Sequence, residues 1–229
     1  VGTRWEWATY VRHRLPSDRE VHEAGFVDSE FSCSGDSVEE NVLLLLHGLG
    51  DTPPPFARFA AALSLPRTAT AALRAPLPLP AGLDGYMWHT AFEADGSKIE
   101  PRVGERRRVD SLKSETRSRL RSLLQLLGRC GWPPRNVYLF GYSQGGTAAL
   151  DFALHAGCRL GGVVSICGYL LPEYMEPELM ARLHQASAPL HTPMLLMAGG
   201  RDGVTPLRLA RRMHKLLRGI AASREDLQL

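Results

Sequence analysis

Lysine is scarce in this chain. Lys98, Lys113 and Lys215 are its only lysines among 229 residues, so arginine supplies most of the 27 basic side chains, and the formal net charge is +3. A nucleic-acid surface needs basic residues clustered with aromatics. The one dense cluster, Arg106-Arg107-Arg108, has no aromatic neighbour. It is expected to be a solvated helix start, and no nucleic-acid partner is expected. Long apolar runs are also missing. None is longer than Val42 to Leu46, which is far short of the ~20 residues a membrane span needs, so no stable membrane insertion is expected. Val1 to Tyr10 mixes charge with Trp5 and Trp7 and has no apolar leader core, which points to a cytoplasmic location. The chain starts at Val rather than Met and reads as a fragment. Cysteines are few: Cys33, Cys130, Cys158 and Cys167. None forms a C-x-x-C pair and no His stands at zinc-ligand spacing, so no metal site is expected. Cys158 and Cys167 read as small core residues, and a reducing compartment fits.

The remaining composition is that of a globular protein, with 44% hydrophobic and 22% charged residues. A chain of this length buries a core without staples. Leu15 to Glu40 is polar and irregular. Asn41 to Leu46 is continuously apolar, as expected of a strand buried on both faces. A turn signal at His47 to Asp51 follows, then a short helix over Phe56–Leu63 led by prolines, a short strand over Ala69–Leu73, and a Pro-rich loop over Ala75–Leu83. Leucines at 112, 120, 123, 124 and 127 recur at helical spacing and predict an amphipathic helix over Val109–Leu127, closed by Gly128. Strands are then expected over Asn136–Phe140, Gly162–Cys167 and Met194–Ala198. Helices are expected over Thr147–His155, Tyr174–His184 and Pro206–Leu217, and a last strand begins at Asp226–Leu229. Alternating strands and helices imply a mostly parallel sheet flanked by helices, an α/β class with ligand sites beyond the carboxyl ends of the strands.

Gly141-Tyr142-Ser143-Gln144-Gly145 matches G-x-S-x-G between a predicted strand and a predicted helix, the context of a nucleophile elbow. Such a bend strains its central residue and lifts the Ser143 hydroxyl to the start of a helix, where the Gln144 amide favours negative charge. The residue reading also allows a plain small-residue turn. A serine nucleophile needs a base, and the base needs an orienting carboxylate. Asp202 is the one carboxylate in the loop Gly199 to Pro206 after a later strand; its alternative is a turn Asp. A second oxyanion donor is sought in His47-Gly48-Leu49-Gly50, where the Leu49 amide is the candidate and His47 braces the loop.

Three segments carry a resemblance: Leu43 to Asp51 (LLLLHGLGD), Gly141 to Gly146 (GYSQGG) and Gly199 to Pro206 (GGRDGVTP). Together they are similar to the phospholipase/carboxylesterase family of α/β-hydrolases, which includes acyl-protein thioesterases. Ala75-Pro76 followed by Trp88 resembles the family's segment between the oxyanion loop and the elbow. The likeness covers Asn41 to the C-terminus, giving a hydrolase domain over 41–229 after an N-terminal extension over 1–40. It implies Ser143 as nucleophile, Asp202 as orienting acid, and Leu49 and Gln144 as oxyanion donors. It also implies hydrolysis of acyl esters or thioesters without metal or cofactor, on lipid, acylated protein or small esters. The family's histidine should follow Asp202. His214, the only later one, reads as a helix-surface residue, so the last strand and the histidine loop are expected to be missing. A degenerate scaffold kept as a binding module, or acyl transfer on the same scaffold, are the alternatives. Trp88 and His89 are the candidate substrate-binding residues; His89 is otherwise a loop residue, and Trp88 reads more as a pocket wall or core plug than as a specific binder. His13, His22 and His155 read as surface residues. Met175, Leu179 and Met180 line an acyl channel or the core.

Overall fold

The computed structural model describes residues 13–80, 82–100, 102, 104–175, 191–203, 207–220 and 227–228. The strands are β1 Glu30–Ser32, β2 Asn41–Leu46, β3 Thr68–Leu73, β4 Leu77–Pro78, β5 Tyr86–Met87, β6 Val137–Tyr142, β7 Gly162–Ile166, β8 Met194–Met197 and β9 Leu227–Gln228. The helices are α1 Asp18–Glu23, α2 Pro53–Leu63, α3 Arg107–Ser111, α4 Ser118–Arg129, α5 Gln144–His155 and α6 Leu207–Ile220. Seven strands form one sheet in the order β1-β3-β2-β6-β7-β8-β9, parallel except for β1, which runs antiparallel to β3. Crossover helices between parallel strands produce this α/β arrangement.

Side chains alternate across the sheet with a period of two. Val42, Leu44 and Leu46 of β2, Val137 and Leu139 of β6, and Met194 and Leu196 of β8 join one core with Leu120 to Leu127 of α4, Ala148 to Phe152 of α5, and Met213 and Leu217 of α6. Leu43 and Leu45 face the other way and pack with Ala60 and Phe56 of α2, alongside Phe140. Beyond α2 that second face opens to solvent: Tyr142 is 46% exposed and Met197 48%, with Tyr138 and Leu195 exposed beside them.

The segment 15–40 differs from the irregular stretch expected. α1 begins with a capping box, in which the Ser17 hydroxyl accepts from the Glu20 amide and the Glu20 carboxylate accepts from the Ser17 amide. Val21 and Phe26 enter the core, and β1 extends the sheet. Leu77–Pro78 and Tyr86–Met87 form a small antiparallel ladder within and just beyond the stretch expected to be loop.

The helix expected over Val109–Leu127 starts two residues earlier and runs to Arg129, with a π-helical turn at Leu112–Arg117 between α3 and α4. Gly128 therefore lies inside the last turn rather than closing it. The helix expected over Tyr174–His184 falls almost wholly outside the described residues; Pro172–Met175 is a 3-10 turn. Leu179 and Met180 also lie outside them.

Candidate active site

The elbow forms where β6 runs into α5. Ser143 caps α5 with φ 52° and ψ −117°, a region costly for any residue with a side chain. The bend is held on both sides: the Ser143 amide donates to the Ile166 carbonyl at 2.8 Å, and the Thr147 amide donates to the Ser143 carbonyl at 3.1 Å. The first amides of α5 have no intrahelical acceptor and point at the helix mouth together with the positive end of the dipole.

The loop after β2 lies against this bend. A Cβ placed on Gly48 would stand 3.1 Å from the Tyr142 ring and 3.8 Å from Ser143 Cβ. The Gly50 amide donates to Tyr86 O and the Asp51 amide to Gly48 O. Among the described residues the Leu49 amide has no such backbone acceptor, so it remains available as a donor. Leu49, Ser143, Gln144 and His89 line one cavity of about 140 Å³, which Arg108, Thr147 and Tyr169 also help to wall. The expected nucleophile and both expected oxyanion donors thus meet at one cavity.

His47 braces the loop, as expected. Its Nε2 accepts from the Ala75 amide at 3.0 Å, which leaves Nδ1 to donate to Gly48 O at 2.7 Å. Burial lowers its proton affinity and keeps the ring neutral.

Trp88 takes the core-plug alternative rather than a substrate contact. It is fully buried, and its indole N–H donates to His47 O at 2.8 Å. The Gln144 side chain clips the same segment to the elbow: Oε1 accepts from the Trp88 amide at 2.7 Å, and Nε2 donates to His89 O at 3.1 Å. The Thr116 hydroxyl, at the π-helical turn, donates to Trp88 O. Trp88 is therefore a strut beneath the loop after β2.

His89 lies on the cavity wall. Its Nδ1 donates to Thr90 O at 2.9 Å, which leaves Nε2 as an acceptor. Burial, aided by the Arg108 charge, lowers its pKa to about 4. The unfolded chain takes up this proton near pH 6.5 while the folded chain does not. His89 is thus expected to cost nothing above pH 6.5 and to destabilise the fold progressively between pH 6.5 and 4, by up to about 3 kcal/mol. Urea denaturation at pH 7.5 and 4.5 checks this: His89→Phe should lose less stability on acidification than the parent.

Asp202 does not line the cavity. Its amide donates to Gly199 O at 3.2 Å, and its carboxylate hydrogen-bonds the thiol of Cys167. Burial and this bond both push the Cys167 thiol pKa up. Cys167 follows β7, has φ 54° and is only half-buried, so it is a rim residue rather than the core residue expected. Its amide donates to Met197 O at 2.7 Å, joining the ends of β7 and β8 one strand away from the elbow.

His214 is half-buried on α6. His22 is exposed, as expected, but His13 stacks on Trp132 and His155 donates to Asp151 O at 2.8 Å. These two rings are structural rather than free surface groups. Among the described residues no group of three or more His, Cys, Asp or Glu could hold a metal ion, and no helix is long and apolar enough to cross a membrane.

Arg108 is the largest departure from expectation. The arginine cluster is not uniformly solvated. Arg107 is exposed and pairs with Glu93 and the buried Glu105, but Arg108 is 6% exposed, pairs with Glu173 and lines the cavity. A signal was present in the sequence: Arg108 lies four residues before Leu112, on the apolar side of the same helix.

A family model described as phospholipase/carboxylesterase matches residues 28–228. An uncharacterized hydrolase of Mycosarcoma maydis is 34% identical over 154 residues, 62% of this chain and 54% of its own length. One from Schizosaccharomyces pombe is 30% identical over 163 residues, 68% of this chain and 61% of its own length. The chain thus spans little more than half the length of these two relatives. Acyl-protein thioesterase 1 of Neurospora crassa is 27% identical over 77% of this chain and 72% of its own length. Among solved structures, esterase PE8 superposes with a TM-score of 0.68 at 22% identity, covering 87% of this chain and 88% of its own. Acyl-protein thioesterase 2 of Zea mays superposes with a TM-score of 0.65 at 16% identity, covering 87% of each chain. These two superpositions establish the α/β-hydrolase fold. The family match starts ahead of β1. Running from there into β9, it takes in the elbow, the loop after β2 and the Asp202 loop, and the chain belongs to the phospholipase/carboxylesterase family.

Proposed function

We propose that the protein is a serine hydrolase that cleaves carboxylic esters or thioesters of acyl groups through an acyl-enzyme on Ser143. The reading rests chiefly on the strained Ser143 at the start of α5, in one cavity with Leu49 and Gln144. Attack of Oγ on the substrate carbonyl forms a tetrahedral oxyanion, held by the Leu49 and Gln144 amides. The serine proton passes to an imidazole base oriented by a carboxylate, the part assigned to Asp202. Collapse expels the alcohol or thiol, and water then releases the acid. His89, with its Nδ1 proton committed to Thr90 O and its weak proton affinity, suits hydrogen bonding rather than the base.

The substrates proposed are lipid, protein-linked or small acyl esters and thioesters; the thioester class follows the name of the Neurospora relative. A cytoplasmic setting belongs to the same proposal and is supported by Cys33, Cys130, Cys158 and Cys167, none of which is in a disulfide among the described residues.

A fluorophosphonate probe tests the assignment. It should label the full-length protein and leave a folded Ser143→Ala variant unlabelled. Absence of labelling in the parent overturns the reading in favour of a binding module on the hydrolase scaffold.

A further inference from the structure

The loop that carries Asp202 is rich in glycine. Gly199 and Gly200 precede the acid and Gly203 follows it, and a Cβ on Gly200 or Gly203 would meet nothing within 4 Å. Such a backbone has wide conformational freedom. A carboxylate that orients an imidazole must instead keep one place and one direction. The bond from the Asp202 amide to Gly199 O, 3.2 Å long, closes the turn but does not itself aim the side chain.

Cys167 acts on that side chain. β7 and β8 end together, with Ile166 paired to Met197, and Cys167 is the next residue along this rim. Its thiol donates to the Asp202 carboxylate and its sulfur accepts from the Gly199 amide, so one atom grips both ends of the turn. Burial and the facing carboxylate keep the proton on sulfur, as a donor requires.

The backbone beneath the thiol is held on both sides. The Cys167 amide donates to Met197 O at 2.7 Å, and just before it Ile166 O accepts from the Ser143 amide at 2.8 Å. Just after it, a Cβ on Gly168 would lie 2.5 Å from Ser165 Oγ and 2.6 Å from the carbonyl carbon of Gly146, in the first turn of α5. Residues 166–168 therefore touch the elbow on one flank and the Asp202 loop on the other. Cys167 itself has φ 54°, where glycine sits easily and a residue with a side chain is strained. The strain falls on the one residue of this turn whose side chain meets the acid.

We propose that Cys167 is a positioning residue for the hydrolytic reaction: its thiol fixes the direction of the Asp202 carboxylate and ties it, through the 166–168 rim, to the strand end that holds Ser143. This rests on the reading of Ser143 as nucleophile and Asp202 as orienting acid.

Ester turnover by the full-length protein tests it, with p-nitrophenyl butyrate as substrate and urea midpoints measured alongside. Cys167→Ala and Cys167→Gly both remove the thiol, but glycine relaxes the left-handed backbone, so Cys167→Gly should be the more stable of the two. Their kcat should nevertheless fall alike, by about tenfold or more, the scale of one hydrogen bond to a charged group. KM should stay within about twofold of the parent, since no substrate contact is removed. Cys167→Ser, whose hydroxyl donates in place of the thiol, should recover most of the lost kcat. In an Asp202→Asn background, Cys167→Ala should add no further loss, because the thiol acts through that carboxylate. Four results overturn the positioning role: parent-like kcat in Cys167→Ala, kcat that follows the urea midpoints, no recovery by serine, or an undiminished effect in the Asp202→Asn background. Each leaves the hydrolase reading standing when a fluorophosphonate labels Ser143 of the parent. A parent that neither turns over the ester nor takes the label sinks the hydrolase reading, and the role of Cys167 with it.

Discussion

Gly145→Ala is expected to leave little folded protein. A Cβ at this position would lie 2.1 Å from Leu46 O and 2.5 Å from His47 O, both main-chain atoms at the end of β2. Neither can swing aside as a side-chain tip would. Relief requires that β2 and α5 separate, which pulls apart the pairing of β2 with β6 and the loop that carries Leu49. Overpacking ordinarily costs about 1–3 kcal/mol where side chains yield; here the cost should reach or exceed the top of that range, a large share of a typical domain's ~5–15 kcal/mol. Gly128→Ala is the matched control. It lies in α4 with nothing within 4 Å of the added methyl, and it should gain up to ~1 kcal/mol from helix propensity. Soluble yield and urea midpoints of the two variants measure the contrast. A Gly145→Ala protein as stable as the parent would contradict the close approach of elbow and strand.

Arg117→Ala is expected to be the most damaging change of a charged residue. Its Nε and Nη2 donate to Asp151 Oδ2 and Oδ1 at 2.9 and 2.7 Å, and both side chains are buried between the π-helical turn and α5. Truncation leaves the Asp151 carboxylate inside the fold without its guanidinium. The His155 ring stands 3.6 Å away, and in the parent burial lowers its pKa, aided by the Arg117 charge. Removing one partner of such a pair costs about 3–5 kcal/mol, whereas replacing both with apolar residues of similar size is often neutral or better. Arg117→Met/Asp151→Leu should therefore be much more stable than Arg117→Ala, and denaturant midpoints of parent, single and double variants test that order. Equal losses in both would show that packing, not the charge, sets the cost.

The elbow and its neighbours were legible because their chemistry is local. A run of apolar residues ending in His47-Gly48, and glycines flanking Ser143, dictate strand, bend and helix with little help from the rest of the chain. What stayed hidden depends on distant partners. β1 is three residues of mixed polarity whose extended form is fixed by pairing with β3, so no window of sequence around it carries the signal. Trp88 could be read only as a pocket wall, a substrate contact or a core plug. Its burial follows from bonds to His47 and Gln144, which lie 41 and 56 residues away. Arg108 looked like its two neighbours because charge runs are usually wet, and only its phase relative to Leu112 set it apart. The π-helical turn leaves no mark in the leucine spacing, yet it lies between the two partners Thr116 finds at Trp88 and Arg117 finds at Asp151.

The sheet is clothed unevenly, and that bears on how this molecule is handled. Along β6 and β8 every second residue turns outward, and Tyr138, Tyr142, Leu195 and Met197 make a greasy terrace beside α2. A patch of that kind attracts fluorescent dyes such as ANS, which are commonly read as reporters of loosened, molten states. Dye signal is therefore expected from the folded chain before any loosening, so melting is better followed through signals of the buried indoles of Trp88 and Trp132.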